Sequence, residues 1–272
     1  MSLFRIPSAA GYFYPGNKNT LIAQIDSLFR AVKSEKTLNH VSGLVAPHAG
    51  YIYSGKTAAY AYNTIKEKKY TNVIIISPSH REYFRGNCVY DGDGYSTPLG
   101  VIEVNKELVL KLAAGSKTIF KGFEGHREEH GIEVHLPFLQ SLLTDFQIVP
   151  VVMGDQSKLF INELADKIAG ILDDRTLIVA SSDLSHFYPR HMANELDSVV
   201  EKRITDYDYE GLYRDLEHKK CEACGGGPIV AMMKSLDILN KKNSFVLHRS
   251  DSGETSGDIN EVVGYLSAAI YN

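Results

Sequence analysis

Three short apolar runs in this chain each lead into a histidine: Gly43-Leu44-Val45-Ala46-Pro47-His48, Val73-Ile74-Ile75-Ile76-Ser77-Pro78-Ser79-His80 and Leu177-Ile178-Val179-Ala180-Ser181-Ser182-Asp183-Leu184-Ser185-His186. Runs this brief and this uniformly apolar fit strands covered on both faces, as parallel sheets require. Pro47 and Pro78 each remove a ladder donor and so mark where two of the strands end. Ligands of open α/β sheets bind just beyond the carboxyl ends of the strands, so the pattern predicts three histidines on one rim. A single strand-end histidine is more often a hydrogen-bonded structural residue. The repetition points to a shared metal or catalytic site.

Between and after these runs, helical periodicity occupies 54–68, 105–114, 132–143 and 158–172, and two or three helices in all occupy 190–216 and 228–239. Further strands are expected at 147–153, 244–248 and 262–270. The stretch 81–100 reads as irregular, and its Asp91-Gly92-Asp93-Gly94 reads as a turn, since the remaining ligands of a calcium loop are missing. No repeat, low-complexity tract or linker interrupts the alternation. The expectation is one α/β domain over 1–272, with a mainly parallel central sheet covered by helices on both faces.

Composition narrows the function. With 272 residues, 44% hydrophobic and 23% charged, the chain can bury a large core, and no apolar run reaches the length of a membrane span. The opening Met1-Ser2-Leu3-Phe4-Arg5-Ile6-Pro7 has no secretory pattern, so a cytoplasmic location is expected. A net charge of -4 without a basic tract gives no footprint for nucleic acid. Three cysteines are too few for a disulfide scaffold and fit a reducing compartment.

Cys221-Glu222-Ala223-Cys224-Gly225-Gly226-Gly227-Pro228 leads into an apolar helical run, with Pro228 near the first helical position. Cys224 just before a helix amino terminus would be favoured as a thiolate, the form that binds metal. A buried cysteine beside a glycine turn explains the same residues, and both readings stand. The lone C-x-x-C is weak evidence for redox exchange, and the triple glycine is no P-loop because no Gly-Lys-Ser/Thr follows. The segment Glu128-Glu129-His130-Gly131-Ile132-Glu133-Val134-His135-Leu136-Pro137 departs from the H-E-x-x-H pattern. On a helix it would set His130 and Glu133 on one face and His135 elsewhere. Acidic residues at a helix start account for the Glu pair but leave the histidines unexplained.

Taken together, Ala46-Pro47-His48-Ala49-Gly50-Tyr51, Pro78-Ser79-His80, Glu129-His130-Gly131-Ile132-Glu133-Val134-His135-Leu136-Pro137, Ser181-Ser182-Asp183-Leu184-Ser185-His186 and Cys224-Gly225-Gly226-Gly227-Pro228-Ile229 occur in the order seen in the Memo family. Gly11-Tyr12-Phe13-Tyr14-Pro15 near the start, and Ser256-Gly257-Asp258 with Val263-Gly264-Tyr265 near the end, also resemble it. The resemblance covers nearly the whole chain.

It implies a fold similar to class III extradiol dioxygenases, non-haem Fe(II) enzymes in which two strand-end histidines and a glutamate hold iron. His48 and His80 match the two histidine ligands, His186 matches the acid/base, and Cys224 stands where those enzymes place the carboxylate. His130 is similar to their substrate-side histidine. A His₂Cys set is softer than the facial triad and admits Fe(II), the metal the resemblance favours, or Cu or Zn, so ordinary ring cleavage does not follow. Animal Memo proteins are associated with phosphotyrosine-peptide binding and metal-dependent redox chemistry. Prokaryotic relatives are grouped with radical-SAM and AMMECR-type proteins (AmmeMemoRadiSam). Two function classes follow. One is a metal-dependent oxidoreductase on a small molecule, with His186 moving protons and Asp183 orienting His186 or the substrate. The other is a non-catalytic module that captures a peptide or partner in the same pocket. Sixteen tyrosines suit either.

Overall fold

The apolar runs form the centre of an open sheet. The computed structural model describes residues 3–33 and 38–272; Met1 and Ser2, which open the segment expected to lack a leader, lie outside them. The spatial order of the main sheet is β10 (His186–Tyr188), β12 (Val262–Tyr271), β2 (Val41–Ala46), β9 (Thr176–Ser181), β3 (Asn72–Pro78), β8 (Gln147–Met153), β4 (Asn87–Tyr90) and β7 (Ile119–Gly122), and β11 (Asn243–Asp251) also pairs with β12. Its four central strands β2, β9, β3 and β8 run parallel, while β12 and β4 join them antiparallel. A second sheet holds β1 (Phe4–Arg5), β5 (Gly94–Thr97) and β6 (Gly100–Glu103).

The reason for the continuous apolar runs is now visible. Val73 to Ile76 and Leu177 to Ala180 are fully buried, because strands in mid-sheet need apolar side chains on both faces. Helices supply the cover. α1 (Lys18–Arg30) packs on α2 (Tyr51–Asn63), which lies over β2, β11 and β12. α3 (Lys106–Ala113) leans on β7, and α4 (Leu136–Leu142) lies against α1. Over β2, β9 and β3 sits α8 (Gly226–Ile238), flanked by α5 (Lys158–Ala169) and α7 (Tyr209–Glu217); α6 (Arg190–Thr205) and the short α9 (Gly253–Ser256) complete the set.

Three expectations need correction. The stretch 81–100 carries β4 and β5, four-residue strands whose polar and turn residues hide them from a periodicity reading. Within it Asp91, Gly92 and Asp93 form the bend between the two strands, while Gly94, also read as turn, opens β5; the two carboxylates pair with Lys121 and Lys106. The expected helix over 132–143 begins as a tight 3₁₀ turn, Glu133–His135, and becomes regular helix where Pro137, which lacks a donor, occupies the first turn. The third run ends at Ser181, and His186 belongs instead to β10, paired with β12 across an irregularity in register.

Two buried imidazoles bear on stability. His126 accepts from the Tyr95 hydroxyl at Nδ1 (2.7 Å), and its Nε2 donates to the Cys88 carbonyl (3.0 Å). His135 donates from Nε2 to Ser181 Oγ (2.8 Å). Burial holds each at a pKa of about 3, far below the ordinary histidine value. Both therefore stay neutral in the fold while the unfolded chain takes up protons below about pH 6.5, so stability falls as pH drops from there towards 3. Between pH 7 and pH 5 each should cost about 2 kcal/mol. Urea unfolding at the two pH values checks this: His126→Gln should flatten the pH dependence, even though it lowers stability at pH 7.

Candidate metal centre

His48, His80 and Cys224 meet at the carboxyl rim of the sheet. His48 follows β2, His80 follows β3, and Cys224 precedes α8. Their ligating atoms all lie within 4.8 Å of one another, and His48 Nε2 is 3.1 Å from Cys224 Sγ. Two ligands of one ion, at bond lengths of about 2.0–2.3 Å and tetrahedral angles, sit roughly 3.3–3.8 Å apart, so the three side chains fit a common metal with little movement. Cys224 is held in place by a close approach. A Cβ at Gly225 would come 2.0 Å from the Ser181 carbonyl oxygen, so only glycine lets the start of α8 lie against the end of β9.

Hydrogen bonding fixes which ring nitrogens are free. Ser181 Oγ donates to the Gly131 carbonyl (2.5 Å), so it can only accept from the rings of His48 (Nδ1, 2.6 Å) and His135 (Nε2, 2.8 Å). His48 therefore carries its proton on Nδ1 and leaves Nε2 as a lone pair facing Cys224. Glu129 does the same for His80: Oε1 accepts from His80 Nδ1 (2.7 Å) and the Gly131 amide (2.9 Å), while Oε2 accepts from the His80 amide (2.7 Å). This is the support that a metal-binding histidine usually has, a carboxylate or similar group on its second nitrogen. Burial pushes Glu129 up, but its bonds to His80 and Gly131 outweigh this and hold it below the usual carboxylate range.

The electrostatics suit a cation. Burial, reinforced by the neighbouring histidines, drives His48 well below its ordinary value, so the ring is neutral. Burial and the Asp183 carboxylate push the Cys224 thiol up, a balance that a bound cation reverses because a coordinated sulfur is a thiolate. The triplet His80, Glu129 and His130 also clusters within 4.8 Å, but Glu129 is already committed to His80 and Gly131.

The other sequence-expected residues surround a cleft of about 440 Å³ that also touches His48 and His80. His130 stacks on Phe13 with ring centroids 4.5 Å apart, and burial holds it at a pKa of about 4. Its Nδ1 lies 3.4 Å from Glu129 Oε1 and makes no hydrogen bond. Asp183 does not bond His186. Its carboxylate caps the turn at the end of β2 by accepting from the His48 amide (2.8 Å), and burial raises it to a pKa of about 6. His186 donates instead from Nδ1 to the Leu184 carbonyl (2.8 Å), which leaves Nε2 as an acceptor. Ser181, Glu129, His135 and Phe13 carry roles that the sequence reading did not assign. The only signals were a serine ending an otherwise apolar run and a carboxylate next to His130.

Because Ser181 sets the tautomer of His48, Ser181→Ala should weaken metal affinity by about 10- to 100-fold while the ligands themselves stay in place. Competition titration with a chromophoric chelator would measure it, and unchanged affinity would remove Ser181 from the site.

Residues 5–269 match the family model described as Memo-like protein. The chain is 38% identical to a MEMO1 family protein of Thermoplasma volcanium over 97% of each chain. It is 35% identical to one of Methanosarcina barkeri, over 98% of this chain and 99% of that protein. With one of Methanocaldococcus jannaschii it shares 33% identity over 99% of this chain and 100% of that one. A crystal structure of an uncharacterized protein from Escherichia coli K12 superposes with a TM-score of 0.58 at 13% identity, covering 85% of this chain and 99% of that one, which is a likeness of fold. Among the described residues no helix is long and apolar enough to cross a membrane. With the ordered motifs, the rim site and this full-length similarity in hand, the chain belongs to the Memo family.

Proposed function

We propose that this chain is a metal-dependent redox enzyme, with His48, His80 and Cys224 holding a divalent metal: Fe(II), with Cu or Zn as the other ions a His₂Cys set admits. The observation that carries this reading is the arrangement of three clustered ligands beside a cleft. Among the described residues no fourth histidine, cysteine or carboxylate joins their group, and an open position is what separates catalytic from closed structural sites. When bound, the metal supplies Lewis acidity and, if iron or copper, a one-electron redox partner for a small substrate.

The chain's own residues do the rest. His186 Nε2 faces the cleft as a proton acceptor, its tautomer held by Leu184. Asp183, near half-protonation around pH 6, stiffens the turn bearing His48 and offers a second proton store. His130, neutral and stacked on Phe13, lines the cleft, with its buried Nδ1 turned toward Glu129. Tyr12 and Tyr53 stand exposed at the mouth, where rings can cover an aromatic or apolar group. These same tyrosines favour the second reading, a module that captures a peptide side chain without turnover.

Metal analysis of anaerobically purified protein is the first test. His48→Ala, His80→Ala and Cys224→Ala should each lose stoichiometric metal with the fold retained, because ligands of one ion depend on each other. Full occupancy in any two of them would sink the assignment.

The roles separate in a second variant. His186→Ala should keep the metal but lose oxygen consumption by the Fe(II)-loaded protein with electron-rich aromatic probes, by about 100-fold or more as expected of a lost general acid/base. Loss of metal as complete as in His48→Ala would make His186 a ligand. Full metal and no consumption in the wild type, with tight capture of a phosphotyrosine peptide, would favour the binding module.

A further inference from the structure

A second and larger cleft, about 670 Å³, lies beside the metal site; it borders Cys224 and His186 but touches neither His48 nor His80. In its wall stands Gln156, half-buried in the connection between β8 and α5. His48 and His80 closely follow strands of the sheet, whereas Cys224 lies in the connection between α7 and α8, with no strand leading into it. Other contacts must place it. From the end of β9, the Asp183 carbonyl accepts from the Cys224 amide (3.2 Å), the Asp183 amide donates to Cys224 Sγ (3.2 Å), and Ser182 Oγ accepts from the Gly225 amide (2.9 Å). From beyond the end of β8 comes Gln156: its Nε2 donates to the Cys224 carbonyl (2.7 Å), and its Oε1 accepts from the Gly227 amide (2.7 Å).

We infer that Gln156 is a positioning residue for Cys224, a single side-chain amide that fixes where this sulfur stands in the candidate metal centre. Its consequence for a metal rests on the reading of Cys224 as a ligand. Three observations support the role. Both polar ends of the amide are used, and each partner allows one orientation only, since a carbonyl accepts and a backbone N–H donates. Gly227 leaves room for the approach: a Cβ there would come 2.8 Å from Gln156 Oε1 and 2.9 Å from its Cβ. The end of β8 also holds the turn that carries His80, because the Ser79 amide donates to the Met153 carbonyl (3.0 Å). One short connection therefore sets two of the three clustered side chains relative to each other.

Gln156 also serves α8. The helix starts after Gly225, which has no side chain to cap the free amides of the first turn, and Gln156 Oε1 takes one of them from another part of the chain. The two roles separate because they use different atoms: the oxygen serves the helix, and the nitrogen holds Cys224. Gln156→Glu keeps an acceptor for the Gly227 amide, with a negative charge that suits a helix amino terminus, but turns an oxygen rather than a donor towards the Cys224 carbonyl. Gln156→Met keeps the length and loses both bonds.

The experiment uses the reduced, metal-free full-length protein. Readouts are competition titration of Co(II) against a chromophoric chelator, the position and intensity of the thiolate-to-Co(II) charge-transfer band, and the urea midpoint of the metal-free fold. Gln156→Glu should keep or raise the urea midpoint yet bind Co(II) at least about tenfold more weakly, with a shifted or weakened band, the scale of loss that follows removal of a partner behind a ligand. That direction runs against charge alone, since an added carboxylate by itself favours a cation. Gln156→Met should lose both stability and affinity. Glu217→Gln, a change elsewhere in the same cleft wall, should match the wild type. Wild-type affinity and band in both Gln156 variants, whatever their urea midpoints, would overturn the positioning role and leave Gln156 a helix cap; an equal loss in Glu217→Gln would overturn it as well. If the wild type takes up no Co(II), the metal reading falls, and alkylation of Cys224 by iodoacetamide in the metal-free protein, located by mass spectrometry, decides the role of Gln156. A rate about tenfold faster in Gln156→Met upholds it, because a released sulfur reaches solvent, where the thiolate forms more readily; an equal rate overturns it.

Discussion

The carboxylate of Glu133, wholly buried, is the point on which the functional end of this protein hangs. It accepts from the Arg5 guanidinium (2.6 Å), the amides of Ser8 (2.8 Å) and Ala9 (2.9 Å), and the Tyr14 hydroxyl (2.6 Å). Arg5 in turn donates to the carbonyls of His126 and Glu129, both at 2.5 Å. A buried charge survives only when its partners replace water on every side, and removing one partner of such a pair typically costs about 3–5 kcal/mol. The network ties the amino-terminal segment to the loop at 126–135. That tie brings Phe13 onto His130 and sets Glu129 under His80.

From that anchor the site becomes a matter of protons rather than of positions alone. Three imidazoles lie close together, with His48 4.8 Å from His80 and 5.4 Å from His130, centroid to centroid. Burial and mutual repulsion hold His48 and His130 neutral, each with a lone pair on one ring nitrogen. Ser181 and Glu129 decide which nitrogen of His48 and of His80 is left without a proton. The same low-dielectric surroundings that destabilise the protein in acid thus keep the lone-pair nitrogens of His48 and His130 unprotonated at neutral pH.

Placement of His186 follows a different rule. His186 comes from a three-residue strand paired irregularly with β12, and the next residue, Phe187, is left-handed at φ 63° and 71% exposed. Bulges and left-handed residues re-aim side chains at sheet edges, at a local conformational cost that the surrounding structure must offset. The result is a histidine that borders both clefts, set off from the ligands and free to act on whatever enters.

The sequence by itself determined the centre of the sheet and singled out His48, His80 and Cys224, the three side chains that the fold brings together at its rim. Fully buried strands demand uninterrupted apolar runs, prolines stop them, and a glycine-rich turn before an apolar helix marks α8; those constraints are local and can be read residue by residue. It also supported family membership, because the motifs recur in order along nearly the whole chain. Tertiary structure alone decided the rest. The strands β4 and β5, four residues each, are too short to show a period and exist because neighbouring strands pair with them. His186 needed the register of β12, distant in sequence, to bring it to the rim. Ser181, Glu129 and Glu133 look like ordinary polar residues until the fold surrounds them, because what a buried hydroxyl or carboxylate does depends on which donors reach it, and those donors lie about 40 to 130 residues away.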